Sequence, residues 1–302
     1  MKLREIYAEN GNDCNEKEIN KRFIKKPTVS FEVFPPKNDV DGEKVEKLIK
    51  NLEILKKYNP AFISLTYGAG GTTRENSIEI IKRIQKELKL NIMPHFTCVA
   101  TKKNHVEEYL KEIQALGIEN ILALRGDIPE GLNDSDFDFH HANEIVKFIH
   151  SKTNLSIGVA GYPEGHISCN NFDLDMKYLK QKVDSGADVI FTQMFFDNEK
   201  FFAFRDYAKK IGIKNPIIAG LLPVKSFTQL EKMLSMGRVT LPKKFAEILE
   251  KHKDNPDDIR KIGIDFTTQQ AQQLVDNEVS GLHFYTLNSS KSICEILDNF
   301  YM

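Results

Sequence analysis

Cysteine is scarce and scattered: the four residues sit at Cys14, Cys98, Cys169 and Cys294, with no CxxC pair and no Cys/His cluster at zinc-ligand spacing. That excludes a disulfide framework and the common structural metal sites, and it points to reduced thiols. A charge excess is also missing. With 42 basic and 43 acidic residues the net charge is -1, so neither nucleic acid nor an anionic membrane is the expected main partner. Apolar runs such as Ile217–Val224 are far too short to span a bilayer. The opening MKLREIYAENGND is charged and has no apolar core, so no secretory signal is expected there, and a cytoplasmic location is. HExxH and GxSxG are absent, and YGAGG (Tyr67–Gly71) has neither GxGxxG nor Walker spacing, which removes the corresponding metallopeptidase, nucleophile-elbow and Rossmann readings.

What is present is a rhythm. Short β-branched or aromatic runs alternate with long amphipathic stretches. The runs are TVSFEVF (Thr28–Phe34), FISLTYG from Phe62, IMPHFTCV from Ile92 and ILALRG from Ile121. SIGVAGY from Ser156, VIFTQMFF from Val189, IIAGLLPV from Ile217 and LHFYTL from Leu282 complete the series. Most begin about 30 residues apart, the length of one βα repeat. Between them, Lys44–Tyr58 lines up Val45, Leu48, Ile49, Leu52 and Leu55 on one stripe, and Gly117 and Gly186 end two further helices at C-cap positions. Eight alternations predict a single α/β domain, a (β/α)8 barrel of the TIM type, rather than an open doubly wound sheet. The last interval is about twice as long as the others and leaves room for extra helices before the last strand, among them PDDIRKIGIDFTTQQAQQLVD. Residues 1–27 are polar and weakly patterned, an N-terminal extension with one short helix over Asn15–Phe23; residues 28–302 form the barrel.

In such a barrel, strand side chains alternate between the helix layer and the interior, and chemistry sits at the C-terminal strand ends. Val29, Phe31 and Val33 share one face of the first strand; Ser30, Glu32 and Phe34 share the other. The apolar set faces the helices, so Glu32 points inward. An interior carboxylate is costly unless paired or protonated. It is therefore either a catalytic acid or a Glu satisfied by an Arg or Lys at the barrel mouth. Arg125, Gly126 and Asp127 end the fourth strand and put a cation, a flexible joint and an anion at the rim. Gln193, amid Phe191, Phe195 and Phe196, is an amide at an apolar interior position that needs a partner, either a core network or a ligand. His95 and His166 lie at or just past strand ends, while His140 and His141 read as loop. These residues define a barrel enzyme with an interior acid and do not fix its substrate.

An ordered set of segments goes further. FEVFPPK (Phe31–Lys37), SLTYGAGG, PHFTC (Pro94–Cys98) and ALRGDIP (Ala123–Pro129) are followed by AGYPEGH (Ala160–His166), KVDSGAD, FTQMFFD, AGLLPV and HFYTLN (His283–Asn288). The series resembles the methylenetetrahydrofolate reductase family over nearly the whole chain beyond residue 27. The resemblance implies a β/α barrel carrying FAD, a homo-oligomer, that reduces 5,10-methylenetetrahydrofolate to 5-methyltetrahydrofolate with NADH or NADPH and so supplies methyl groups for methionine synthesis. It implies Glu32 as the acid that protonates the folate ring nitrogen, and Asp127 as the carboxylate near both flavin and pterin. Substrate contacts would come from Asp127, Gln193, Gln229, Thr66 and Tyr285. For FAD it implies Thr66, Tyr67, Ala69, His95, Arg125, Gly126 and Asp127, together with Ala142, Tyr162, His166, Asp175 and Lys182. Arg125, His166 and Lys182 suit phosphates, and Asp175 suits a hydroxyl-rich ribityl or ribose group. No metal is expected.

The implied reaction has two halves: a nicotinamide nucleotide gives its hydride to the flavin and leaves, then the folate receives it while Glu32 assists ring opening. Two departures from the family pattern stand out. HFYTLN is commonly followed by an arginine that contacts the folate, whereas here Ser289, Ser290 and Lys291 follow, with Lys291 a candidate substitute. The chain also stops just after the eighth helix, so the regulatory extension of longer eukaryotic members, with its control by adenosylmethionine, is not expected. The same fold could instead carry a phosphate-binding aldolase or isomerase without flavin, or a non-catalytic barrel subunit. No strand run contains a lysine, which weighs against a Schiff-base enzyme, and Glu32, Asp127 and Gln193 weigh against a dead barrel.

Overall fold

Eight strands pair in parallel, in chain order, and the eighth closes back onto the first. They are β1 (Thr28–Val33), β2 (Ile63–Leu65), β3 (Ile92–Thr97), β4 (Asn120–Leu124), β5 (Ser156–Gly161), β6 (Val189–Thr192), β7 (Ile217–Leu221) and β8 (Gly281–Tyr285). The computed structural model describes residues 1–8, 27–36, 39, 41–66, 74–128 and 137–301. The helix expected over Asn15–Phe23 lies outside the described residues, as do Tyr67 and Ala69 of the FAD positions. The architecture is the expected (β/α)8 barrel.

The strands sort their side chains as a period of two requires. Val29, Phe31 and Val33 pack into the layer between barrel and helices, against Leu48, Ile49, Leu52 and Leu55 of α2 (Glu43–Lys56). Ser30 and Glu32 take the interior. Around the barrel follow α3 (Arg74–Arg83, continued by a π turn over Ile84–Leu88), α4 (Lys103–Ala115), α5 (Ala142–Lys152), α6 (Phe172–Asp184) and α7 (Asn198–Lys210). The stop of α4 is a left-handed Gly117 at φ 73, with Ile118 N donating to Ile113 O across the last turn.

Residues 1–8 belong to the packing of the barrel. A short helix, α1 (Leu3–Ala8), buries Leu3 and Tyr7 against Phe62, Met93, Leu122, Val189, Phe191 and Ile218, the apolar lower filling of the interior. Its first turn has N–H groups that no helical carbonyl reaches, and strand side chains accept two of them: Leu3 N donates to Asn120 Oδ1 (2.7 Å) and Arg4 N to Ser156 Oγ (3.1 Å).

The long interval before β8 holds α8 (Phe227–Met236), α9 (Lys243–Lys251) and α10 (Pro256–Asp276), and α11 (Lys291–Tyr301) ends the fold. α10 starts where chemistry dictates, with Pro256 in the first turn and Asn255 accepting from Asp257 N and Asp258 N. These helices share an apolar cluster of Phe196, Val224, Leu230, Phe245, Leu249 and Ile259. Gly263 lets α10 touch the β7 loop, for a Cβ there would lie 2.1 Å from the Val224 carbonyl oxygen. Helix propensity favours alanine at an interior position by about 1 kcal/mol. The backbone clash outweighs it, so Gly263→Ala should destabilise by about 1–3 kcal/mol, read as a lower urea midpoint. A raised midpoint would show that the contact yields freely. No helix among the described residues is long and apolar enough to cross a membrane.

Candidate active site

Glu32 sits at the catalytic end of β1, paired in register with Ser64 of β2 and Tyr285 of β8. It is 7% exposed. Its Oε2 lies 3.5 Å from His95 Nε2 and 3.6 Å from His283 Nε2. Each histidine is held in turn by a serine: Ser64 Oγ meets His95 Nε2 at 2.5 Å, and Ser30 Oγ meets His283 Nδ1 at 2.8 Å. Beneath them the His283 ring rests on Phe62 and Phe191, at centroid distances of 6.1 and 5.4 Å. The Glu32 carbonyl accepts both Thr286 N and Thr286 Oγ1. No Arg or Lys pairs with the Glu32 carboxylate among the described residues, so the alternative of a cation at the mouth satisfying it does not hold there. Burial pushes His95 down to about 4, with His283 adding to the shift and Glu32 opposing it. At neutral pH His95 is therefore a neutral neighbour of Glu32 and not a countercharge.

A second cluster occupies the β4–β5 side. Arg125, Gly126 and Asp127 leave the end of β4, and Gly126 adopts φ 83 so close to Thr97 that a Cβ would lie 2.9 Å from the threonine Cβ. Arg125 Nε donates to His140 O (3.2 Å). From α6, Lys182 Nζ donates to Ala160 O at 2.6 Å and stands 5.8 Å from the Tyr162 ring centroid. Desolvation pushes this ammonium down to about 8, against the pull of Asp175. Asp175 accepts His166 N (3.1 Å), and the His166 ring packs edge-on to Tyr162 at 4.6 Å. Burial, then the charges of Asp175 and Asp127, push the Tyr162 phenol up to about 12.

Tyr285 joins the two clusters. Its hydroxyl donates to Thr192 O (2.8 Å), and burial, then Glu32 and Tyr162, raise its phenol well above the ordinary value. Room for that ring comes from Gly220, where a Cβ would lie 2.2 Å from Thr192 O and 3.0 Å from the tyrosine ring.

Other expected site residues fall differently. Thr66 follows β2 with its N–H on Val33 O, and Ala142 opens α5. His95 lies within β3 rather than at its end. Gln193 lies one residue past β6 and is exposed, with Oε1 accepting Met194 N, so it is a rim amide rather than an interior strand residue. Gln229 spends its amide on the cap of α8: Oε1 accepts Lys225 N (2.9 Å) and Nε2 donates to Pro223 O (3.3 Å). Lys291 is exposed on the first turn of α11. Ser30, Ser64 and His283 join Glu32 without having been singled out, although alternation along β8 already puts His283 on the face of Tyr285. Lys225 is a further rim group, donating to Thr286 O at 2.6 Å and held down to about 8 by burial and by Arg260. No local pattern marks it.

Known proteins with this sequence pattern are numerous. The family model for methylenetetrahydrofolate reductase matches residues 17–301. A "Methylenetetrahydrofolate reductase (NADH) 1" of Arabidopsis thaliana is 36% identical over 284 residues, covering 89% of this chain and 48% of that protein. The chain thus spans about half the length of the plant and fungal relatives. Against the 5,10-methylenetetrahydrofolate reductase of Escherichia coli it is 34% identical, covering 89% of this chain and 90% of that one. Among solved structures, a Clostridium thermocellum protein that binds two copies of 5-methyl-5,6,7,8-tetrahydrofolic acid superposes with a TM-score of 0.66 at 16% identity, over 99% of both chains, a likeness of fold alone. On the family match and the identity to its bacterial relatives, the chain belongs to the methylenetetrahydrofolate reductase family.

Proposed function

We propose that this chain is an FAD-dependent reductase that converts 5,10-methylenetetrahydrofolate to 5-methyltetrahydrofolate with a nicotinamide nucleotide, supplying methyl groups for methionine synthesis. The observation that carries the reading is Glu32, a carboxyl sunk at the carboxyl end of the barrel strands with two histidines beside it and, among the described residues, no lysine or arginine paired with it. The name of the Arabidopsis relative favours NADH as the donor.

The β4–β5 cluster has the chemistry of a flavin dinucleotide site. Arg125 and Lys182 offer positive charge and His166 a ring N–H donor to a pyrophosphate, and Asp175 offers an acceptor to sugar hydroxyls. Gly126 lets the backbone come close. Thr66, Ala142, Asp127 and Tyr162 would complete the hold. FAD, when bound, supplies the hydride chemistry. Glu32 delivers a proton to the folate ring nitrogen as the five-membered ring opens, and the Ser64–His95 and Ser30–His283 pairs orient its carboxyl. Asp127, Gln193 and Tyr285 line the mouth where the pterin would sit.

The protein should purify yellow with non-covalent FAD, released on heat or acid denaturation. A colourless protein that takes up no FAD from excess would sink the reading. Lys182 gives it a pH signature. Its ammonium is charged below about 8 and loses its proton above. A dianionic pyrophosphate prefers the charged form, so FAD affinity of stripped protein should fall as pH rises through about 8. In Lys182→Met that limb should disappear, by fluorescence titration; an identical pH profile in the variant would remove Lys182 from the site.

A further inference from the structure

We infer that the anionic glutamyl tail of the folate docks in a lysine-walled cavity between α2 and the β8–α11 turn, an inference that rests on the folate reading above. The cavity has a volume of ≈ 430 Å³, and its wall includes Lys44, Lys47, Asn51, Asn288 and Ser289. It lies on the β1–β8 side of the barrel, the side that carries Glu32. Its two sides are the start of α2, which follows β1, and the turn that follows β8, and β1 and β8 are paired neighbours. Asn288 clasps Phe34 through both backbone groups (2.8 and 2.7 Å), two residues beyond Glu32.

The wall is a fixed structure. Asn51 Nδ2 donates to Asn288 O (3.0 Å), and its Oδ1 accepts Ser290 N and Ser290 Oγ. Leu287 and Asn288 adopt φ of 49 and 56, two successive left-handed residues that are not glycine. Such backbone persists only where its surroundings over-determine it, and it gathers at ligand clamps. The amides are thus committed to building the wall.

The charge on that wall is of one sign. Lys44 and Lys47 are both cations, three positions apart on one helical face, and among the described residues no carboxylate lines the cavity. The field of Lys44 is shared with Asp39, which accepts the N–H groups of Lys44 and Val45. Lys47 enters no ion pair among the described residues, and its neighbour Glu46 is turned to Arg83 at 2.6 Å. Lys291, the next cation after Ser289, is not in the wall. A folate ends in a glutamate whose two carboxylates are ionised at neutral pH. Two flexible point charges suit a dicarboxylate tail that must be gripped without fixing one planar geometry.

The test uses the FAD-loaded protein and two substrates, 5,10-methylenetetrahydrofolate and its tail-less analogue 5,10-methylenetetrahydropteroate. Wild type should prefer the glutamylated substrate by KM. In Lys47→Glu and in the double variant Lys44→Gln/Lys47→Gln that preference should shrink about ten-fold, the scale of a partly exposed charge-assisted contact. Lys47→Arg should restore it. A preference unchanged in folded, FAD-replete variants overturns the inference, as does a KM shift shared equally by both substrates. A shift confined to NADH would assign the cavity to a nucleotide phosphate and also overturn it. Wild type that turns over both folates with equal KM refutes the tail site alone; wild type that turns over neither refutes the functional reading itself.

Discussion

Glu32→Gln should still accept reducing equivalents from NADH within a few-fold of wild type, yet form 5-methyltetrahydrofolate about 10²–10⁴-fold more slowly. Flavin reduction by a nicotinamide is a hydride transfer that needs no positioned acid. Opening the folate ring does need one, and the amide has no transferable proton. The variant should fold, because a neutral amide is easier to bury than a carboxylate. Its NH2 can also donate to a neutral imidazole such as His95, so the interior network need not collapse. Stopped-flow absorbance at the flavin band would follow the two half-reactions separately, with FAD content matched first. Reoxidation by methylenetetrahydrofolate at the wild-type rate would make Glu32 a structural residue and place the acid elsewhere.

Leu3→Ala should cost about 2–5 kcal/mol of stability, the range for emptying a buried leucine site. Leu3 is fully buried, against the cluster that fills the lower barrel. A helix of six residues is not stable by itself, so α1 stays in place through this packing. Losing the leucine therefore either leaves a cavity or frees α1 and exposes Phe62, Met93 and Ile218 to water. Urea unfolding would read the loss as a lower midpoint. An unchanged midpoint would mean that α1 does not dock under the barrel in solution. Glu32 itself lies at the carboxyl end of β1, above the Phe62 and Phe191 rings, so catalytic constants measured well below the unfolding transition should move less than stability does.

The sequence by itself determined the strand runs, the direction of Glu32 and several helix limits, because each depends on near neighbours. Eight β-branched runs at the βα spacing made the barrel legible, and alternation within TVSFEVF turned Glu32 inward. The segment PDDIRKIGIDFTTQQAQQLVD is α10 from end to end, opened by Pro256. Only the tertiary structure decided the rest. LREIYA is too short to show a period, and its burial comes from Phe62, just before β2, and from side chains on β3, β4, β6 and β7. Gln193 moved from interior to rim because β6 ends just before it, at Thr192, so the alternation that turns Val189 and Phe191 inward no longer governs it. Ser30 meets His283 across 253 positions, and Asn288 clasps Phe34 across 254. These contacts exist because the last strand closes onto the first, and closure depends on the pairing register of all eight strands, which no local run of residues encodes.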